Sequence, residues 1–239
     1  FARSSDGEAL ASSLSYARKV IQVSRSAGAR AFVNISSQSV YGQSAPPPWT
    51  EETPLAPNYP YALAKCAVEQ MVLAAFEGSG VAHTSLRLSS VCENARFLNV
   101  FARNAARGAP IKVVGGSQVC SFIGVRDAAA AVARVVESVG RVPFAPVYNL
   151  GTGESRTILQ LAQDTRRLGR ERFGLDVKLE VEPSEESLSV GMDASLFKRD
   201  FRWAPRLGYD EMVLSLFELN GLRVNASALS PRVRGGGAE

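Results

Sequence analysis

Tyr61 and Lys65 are four residues apart in a stretch whose apolar positions, Ala64, Ala67, Val68, Met71, Val72 and Ala75, recur with helical spacing. Both side chains therefore leave one face of one helix. A free tyrosine titrates near pH 10, so using its phenolate at neutral pH requires about 4 kcal/mol of preferential stabilisation of the anion. An adjacent ammonium supplies part of that. With six tyrosines in the chain, the pair by itself also fits an ordinary solvated helix face. A third side chain adds weight. The run Ala31–Ile35 reads as a buried strand entering the polar turn Ser36-Ser37-Gln38-Ser39, and it places the Ser37 hydroxyl at the strand's carboxyl end. In open α/β sheets ligands collect at that end, where Ser37 and Tyr61 can meet one substrate oxygen.

The elements that must hold these groups follow one another as helix and strand. Residues 9–27 are predicted as a helix ending at Gly28, then a strand over 31–36, then the Tyr61 helix closing near Gly78 and Gly80. Between them, residues 43–58 carry Pro46, Pro47, Pro48, Pro54 and Pro57 and read as an ordered loop over the strand ends. Val81–Val91 is expected to be the next parallel strand. Phe97–Arg107 is expected to be a helix, followed by a strand at 111–114 and a Gly115-Gly116 turn. Asp127 is expected to be the N-cap of a helix over 128–138. Val147–Leu150, the turn Gly151-Thr152-Gly153 and a helix over 158–168 come next; the glycine pair lacks the third glycine and the later acid of a dinucleotide fingerprint. A strand at 177–181 and a helix over 207–219 complete the ordered part, and residues 225–239 read as a disordered tail.

Composition narrows the function. The chain has 239 residues, 46% apolar and 21% charged, enough for a sizeable core. Its net charge of +4 contains no basic run, so no nucleic-acid partner is expected. Nor is a membrane span, for want of a long apolar run. Cys66, Cys92 and Cys120 form no paired framework, which suits a reducing compartment and a cytoplasmic location. A lone histidine, His83, leaves no multi-histidine metal site, so no metal is expected; it reads as a strand-edge residue.

Several motifs together resemble one family. Ser36-Ser37-x-x-Val40-Tyr41-Gly42, then Glu51-Glu52-Thr53-Pro54-Leu55-Ala56-Pro57, then Tyr61-x-x-x-Lys65 are similar to the extended short-chain dehydrogenase/reductases, the NAD-dependent sugar epimerases and dehydratases. Leu86-Arg87, Tyr148-Asn149-Leu150-Gly151 and the closing segment Phe201-Arg202-Trp203-Ala204-Pro205, where the family reads Leu-Gly-Trp-x-Pro, extend the resemblance over residues 9–218. It implies an α/β doubly wound parallel sheet, Rossmann-like and truncated at its amino end, with a smaller mixed α/β substrate domain. The expected division is residues 1–91 with 123–155 as a partial dinucleotide-binding domain, and 92–122 with 156–224 as the substrate domain. By the same resemblance Tyr61 is the general acid/base, Lys65 holds the nicotinamide ribose and lowers the Tyr61 pKa, and Ser37 hydrogen-bonds the reacting oxygen. Ser12, Ser36 and Ser89, with Tyr61 and Lys65, are the expected contacts to NAD or NADP. The implied activity is hydride transfer at a hydroxyl or ketone of a sugar-like substrate, nucleotide sugars included, by a homodimer paired through helices 9–27 and 60–77.

The chain also departs from the family pattern. Cys92, Glu93 and Asn94 replace part of the usual turn after Leu86-Arg87, Cys120 stands where an arginine is expected, and Ser187-Leu188-Ser189 occupies a position that is often basic. The chain opens on Phe1 with no glycine-rich turn before Ser37, so about 70 residues of a complete member are expected upstream. A cofactor-free binding relative and an inactive truncated product remain as alternatives. The upstream nucleotides separate the three readings.

Overall fold

The computed structural model describes residues 7–43, 45–94, 97–185 and 189–223. The expected tail at 225–239 and two of the three residues at 187–189 lie outside them. Helix α1 (Gly7–Ser26) turns at Gly28 into strand β1 (Ala31–Ser37). A single 3-10 turn (Gln38–Tyr41) and the proline-rich loop then lead to α2 (Pro60–Phe76) and β2 (Ala82–Leu88). Next come β3 (Ser90–Val91), α3 (Phe97–Ala106), β4 (Ile111–Val114), β5 (Val119–Cys120), β6 (Phe122–Ile123) and α4 (Val125–Glu137). The chain continues through β7 (Val147–Leu150), β8 (Arg156–Thr157), α5 (Ile158–Phe173), β9 (Leu179–Glu182), α6 (Ser195–Phe201) and α7 (Tyr209–Leu219).

Strands β1, β2 and β7 form a parallel sheet in that order. The registers pair Ser37 with Leu88 and Leu88 with Leu150, so all three strands end at one level. Alternation along each strand sends neighbouring residues to opposite faces. Phe32 joins Ile21, Val72 and Phe76 under α1 and α2, whereas Val33, Leu86, Leu88, Tyr148 and Leu150 join Ala131, Val135, Phe197 and Phe201 under α4 and α6. Helices therefore cover both faces, which makes the fold α/β and doubly wound. A second core gathers Leu98, Phe101, Ile111, Leu161, Met212 and Phe217 from α3, β4, α5 and α7. Each such side chain contributes about 1.5–3 kcal/mol when fully buried.

Four expectations need correction. The strand over 81–91 breaks at Ser89, because its backbone leaves the sheet there and Ser90–Val91 pairs with β6 instead. Helix α4 begins at Val125 behind Gly124, so Asp127 is inside the first turn rather than the N-cap; its carboxylate accepts from the backbone N–H groups of Arg206 and Leu207. Helix α5 does not stop before Gly169 but runs to Gly174 in the left-handed region. Gly169 is there for packing, since a Cβ on it would lie 3.2 Å from the Phe217 ring. The strand expected at 177–181 starts at Leu179, in register with Ile111 of β4.

Candidate active site

The aligned strand ends bring three turns together: Ser37 and Gln38 after β1, Ser89 after β2, and Gly151 after β7. The Ser37 hydroxyl accepts from the Ser39 N–H at 3.2 Å and so caps the 3-10 turn. That turn buries Val40 and Tyr41 completely and ends on Gly42 at φ 58°. A Cβ on Gly42 would lie 1.9 Å from the Ala56 carbonyl oxygen, so the loop can cross here only over a glycine.

Helix α2 starts with Pro60 at its first position, which fits a residue lacking an N–H. Tyr61 and Lys65 follow on one face, with the Lys65 Nζ 5.7 Å from the centre of the Tyr61 ring. The ammonium donates to the Ile35 carbonyl oxygen at 2.6 Å, two residues before Ser37, and thereby ties α2 to the end of β1. Burial pushes the Lys65 pKa below the ordinary lysine value, with the Glu69 charge opposing it. The Tyr59 and Tyr61 rings lie nearly parallel with centres 6.3 Å apart.

Beneath this pair is a buried polar network that the sequence reading missed. Glu69, one turn beyond Lys65, receives the Arg87 guanidinium at 2.7 Å through NH2 and at 3.1 Å through Nε, and the Ser36 hydroxyl also donates to it. Arg87 NH1 donates to the Tyr41 hydroxyl at 2.9 Å, and that hydroxyl donates to Asn149 Oδ1 at 2.6 Å. Asn149 in turn donates to the carbonyls of Trp49 and Asp193, while its own N–H reaches Glu51 at 2.8 Å. Burial alone would weaken the Arg87 charge, but hydrogen bonds and the charge of Glu69 hold its pKa above the ordinary arginine value. Burial likewise raises the Glu51 and Tyr41 pKa values, against the hydrogen bond from Asn149 in the first and the charge of Arg87 in the second. The available sequence signal was the spacing of Tyr61, Lys65 and Glu69, which is four and four.

The remaining predicted residues fall in three situations. Ser89 is 4% exposed, its N–H bonds to the Leu150 carbonyl, and its buried hydroxyl has no partner. Ser36 is turned toward Glu69. Ser12 is exposed on α1. Among the departures from the family pattern, Glu93 accepts from the first N–H of α4 and from the Cys92 thiol, so it closes that helix end. Lys198 donates to the Thr152 carbonyl at 2.6 Å, filling the space beside the Gly151–Gly153 turn.

These groups suit the nicotinamide ribose end of a dinucleotide. The Lys65 ammonium uses one of its three donors on Ile35 and keeps two, and the orphaned Ser89 hydroxyl lies at the same strand-end level.

The model of the family described as "NAD dependent epimerase/dehydratase family" matches residues 2–151. A dTDP-glucose 4,6-dehydratase of Streptomyces niveus is 26% identical over 196 residues, covering 78% of this chain and 56% of that protein. A UDP-glucose 4-epimerase of Erwinia amylovora is 26% identical over 223 residues, covering 81% and 64%. The chain thus spans a little over half the length of these curated relatives. Among solved structures, the UDP-Glc/GlcNAc 4-epimerase of Campylobacter jejuni superposes with a TM-score of 0.74 at 21% identity, over 85% of this chain and 68% of that one. The UDP-glucose 4-epimerase of Bifidobacterium longum, in complex with NAD+ and UDP, does so with 0.73 at 21%, over 88% and 70%.

Proposed function

This chain belongs to the NAD dependent epimerase/dehydratase family, and from that premise we propose that it carries the catalytic half of an oxidoreductase that moves a hydride between NAD or NADP and a hydroxyl or ketone of a nucleotide sugar. The observation behind this reading is the Lys65 ammonium, seated on the Ile35 carbonyl beside the Tyr61 ring at the end of the strand that closes on Ser37. The bound dinucleotide would accept and return the hydride. Tyr61 would take the proton from the substrate hydroxyl as it becomes a ketone and give it back on reduction. Lys65, held by Ile35, would stabilise the Tyr61 phenolate and hold the nicotinamide ribose with its two free donors. Ser37 would orient the reacting oxygen, and the turn at Ser89 would border the nicotinamide. Ser12 and Ser36 keep their place as expected cofactor contacts, Ser36 through its backbone because its hydroxyl is engaged by Glu69.

The relatives include both epimerases and dehydratases, and the net reaction depends on how the sugar ring is presented to these groups. The same proposal includes a cytoplasmic homodimer; no helix of the described residues is long and apolar enough to cross a membrane. Tyr16, Val23 and Leu63 leave apolar surface on α1 and α2 for a second copy, which light scattering would detect. The two-domain division given above also belongs to the proposal. The test of the chemistry is NAD-linked turnover of UDP-glucose, UDP-galactose and dTDP-glucose by the purified protein as its gene encodes it. Tyr61→Phe should lower kcat by about 10²–10⁴-fold. Undiminished turnover in that variant would reject the assignment.

A further inference from the structure

On the sheet face opposite α2, helix α4 and the segment after α6 enclose a cleft of about 420 Å3 bordered by Arg134, Glu137, Arg202, Trp203 and Arg206, with alanine for the rest of its lining. Three guanidinium groups thus face one carboxylate. Arg134 is partly engaged, donating to the Phe201 carbonyl at 2.9 Å and lying 3.9 Å from Glu137. Among the described residues, no acid pairs with Arg202 or Arg206.

The backbone that carries them is fixed at both ends. The Trp203 N–H reaches the Lys198 carbonyl, and the Asp127 carboxylate holds the N–H groups of Arg206 and Leu207 at 2.9–3.1 Å. Trp203 itself sits edge-on against Phe197, with ring centres 5.4 Å apart. Arg202 ends α6 at φ 48° and ψ 46°, and it is the one non-glycine with positive φ among the described residues. An L side chain enters that region at a penalty, and glycine stands at this position of the family motif quoted above. Backbone strain kept where glycine would relieve it points to a use for the side chain.

We propose that this cleft binds a phosphorylated small molecule, with Arg202 and Arg206 on the phosphate oxygens and the Trp203 indole against its organic part. Guanidinium forks match phosphate geometry and lose little on desolvation, which suits a shallow, positively charged cleft. Glu137 opposes the anion and limits its affinity. The site is separate from the strand-end turns, so it stands or falls independently of the hydride chemistry.

The purified protein should be titrated with inorganic pyrophosphate, inorganic phosphate and phenyl phosphate, by calorimetry and through the NMR shift of the Trp203 indole N–H, with Trp49 as the internal reference. Saturable movement at Trp203 is expected, with phenyl phosphate tighter than inorganic phosphate if the indole takes the organic part. Arg202→Gly should weaken pyrophosphate binding at least about fivefold while raising Tm by about 2–4 °C, because it removes the charge and the strain together. Arg206→Gln should weaken binding comparably without raising Tm, and Glu137→Gln should tighten it. Equal affinity for phosphate and phenyl phosphate would remove the organic part from the proposal. Absence of saturation at Trp203 up to about 10 mM, a regime of binding weaker than about 2.7 kcal/mol, or full affinity in both arginine variants would overturn it.

Discussion

The Arg87 guanidinium and the Glu69 carboxylate meet at 2.7 Å with side-chain exposures of 4% and 2%. One belongs to the strand beside β1 and the other to the helix that presents Tyr61 and Lys65, so this contact sets the rotation of α2 over the strand ends. Buried charges of this kind are sensitive to the loss of one partner. Glu69→Leu should cost about 3–5 kcal/mol in urea denaturation, since Arg87 is left uncompensated. The double variant Glu69→Leu/Arg87→Met should recover much of that loss. A double variant as unstable as the sum of the singles would show that the pair is not what holds the helix.

Lys65 should titrate below the free-lysine value of about 10.4, because burial disfavours its charged form. The folded protein then binds fewer protons than the unfolded chain between the lowered value and 10.4. Stability held back by the buried ammonium at neutral pH should therefore be regained as pH rises through that window. Urea midpoints measured from pH 8 to 10.5 should climb relative to Lys65→Met, which lacks the group. Parallel profiles for the two proteins would contradict the desolvation argument.

Asp127→Ala should expose the cost of its two backbone contacts. It strands the N–H groups of Arg206 and Leu207, at about 1–3 kcal/mol. Asp127→Asn keeps one acceptor and should lose less. Amide exchange at residues 206 and 207 should accelerate in both variants, whereas exchange confined to the first turn of α4 would restore the N-cap role expected from sequence.

Gly42→Ala should be costly for two separate reasons, a positive φ and a Cβ directed at the Ala56 carbonyl. A loss exceeding about 2 kcal/mol is expected, with the Trp49 fluorescence altered in the folded state as the loop is displaced. A near-neutral result would mean that the loop has room to retreat.

Much of this architecture was legible because it rests on local patterns. The helical spacing of Ala64, Val68, Met71 and Val72 and the apolar run before Ser37 located α2 and β1 to within a residue. What escaped notice depends on tertiary contact. Asp127 precedes alanines as an N-cap would, yet its partners are 79 and 80 residues away. Gly169 has the appearance of a helix terminator, and only the nearness of Phe217 explains it inside α5. Glu69 drew no reading from the sequence at all, since nothing local reveals that Arg87 lies opposite. Ser37, Tyr61 and Lys65 stood out in the sequence because the motifs that resemble the family concentrate there, and their roles belong to the proposal above.

The loop at residues 43–58 has the prolines and polar residues of a segment that proteases usually find first. Its backbone tells otherwise. Trp49 is 1% exposed, its N–H reaches the Gly191 carbonyl, its own carbonyl accepts from Asp193 and Asn149, and Ala56 bonds back to Val40. A protease must draw out an extended stretch of chain to cut it, and here that means breaking contacts to β7, to the 3-10 turn and to the segment before α6 at once. The strap should therefore survive limited digestion that trims more weakly anchored connections, and any nick within it should arrive only with global unfolding.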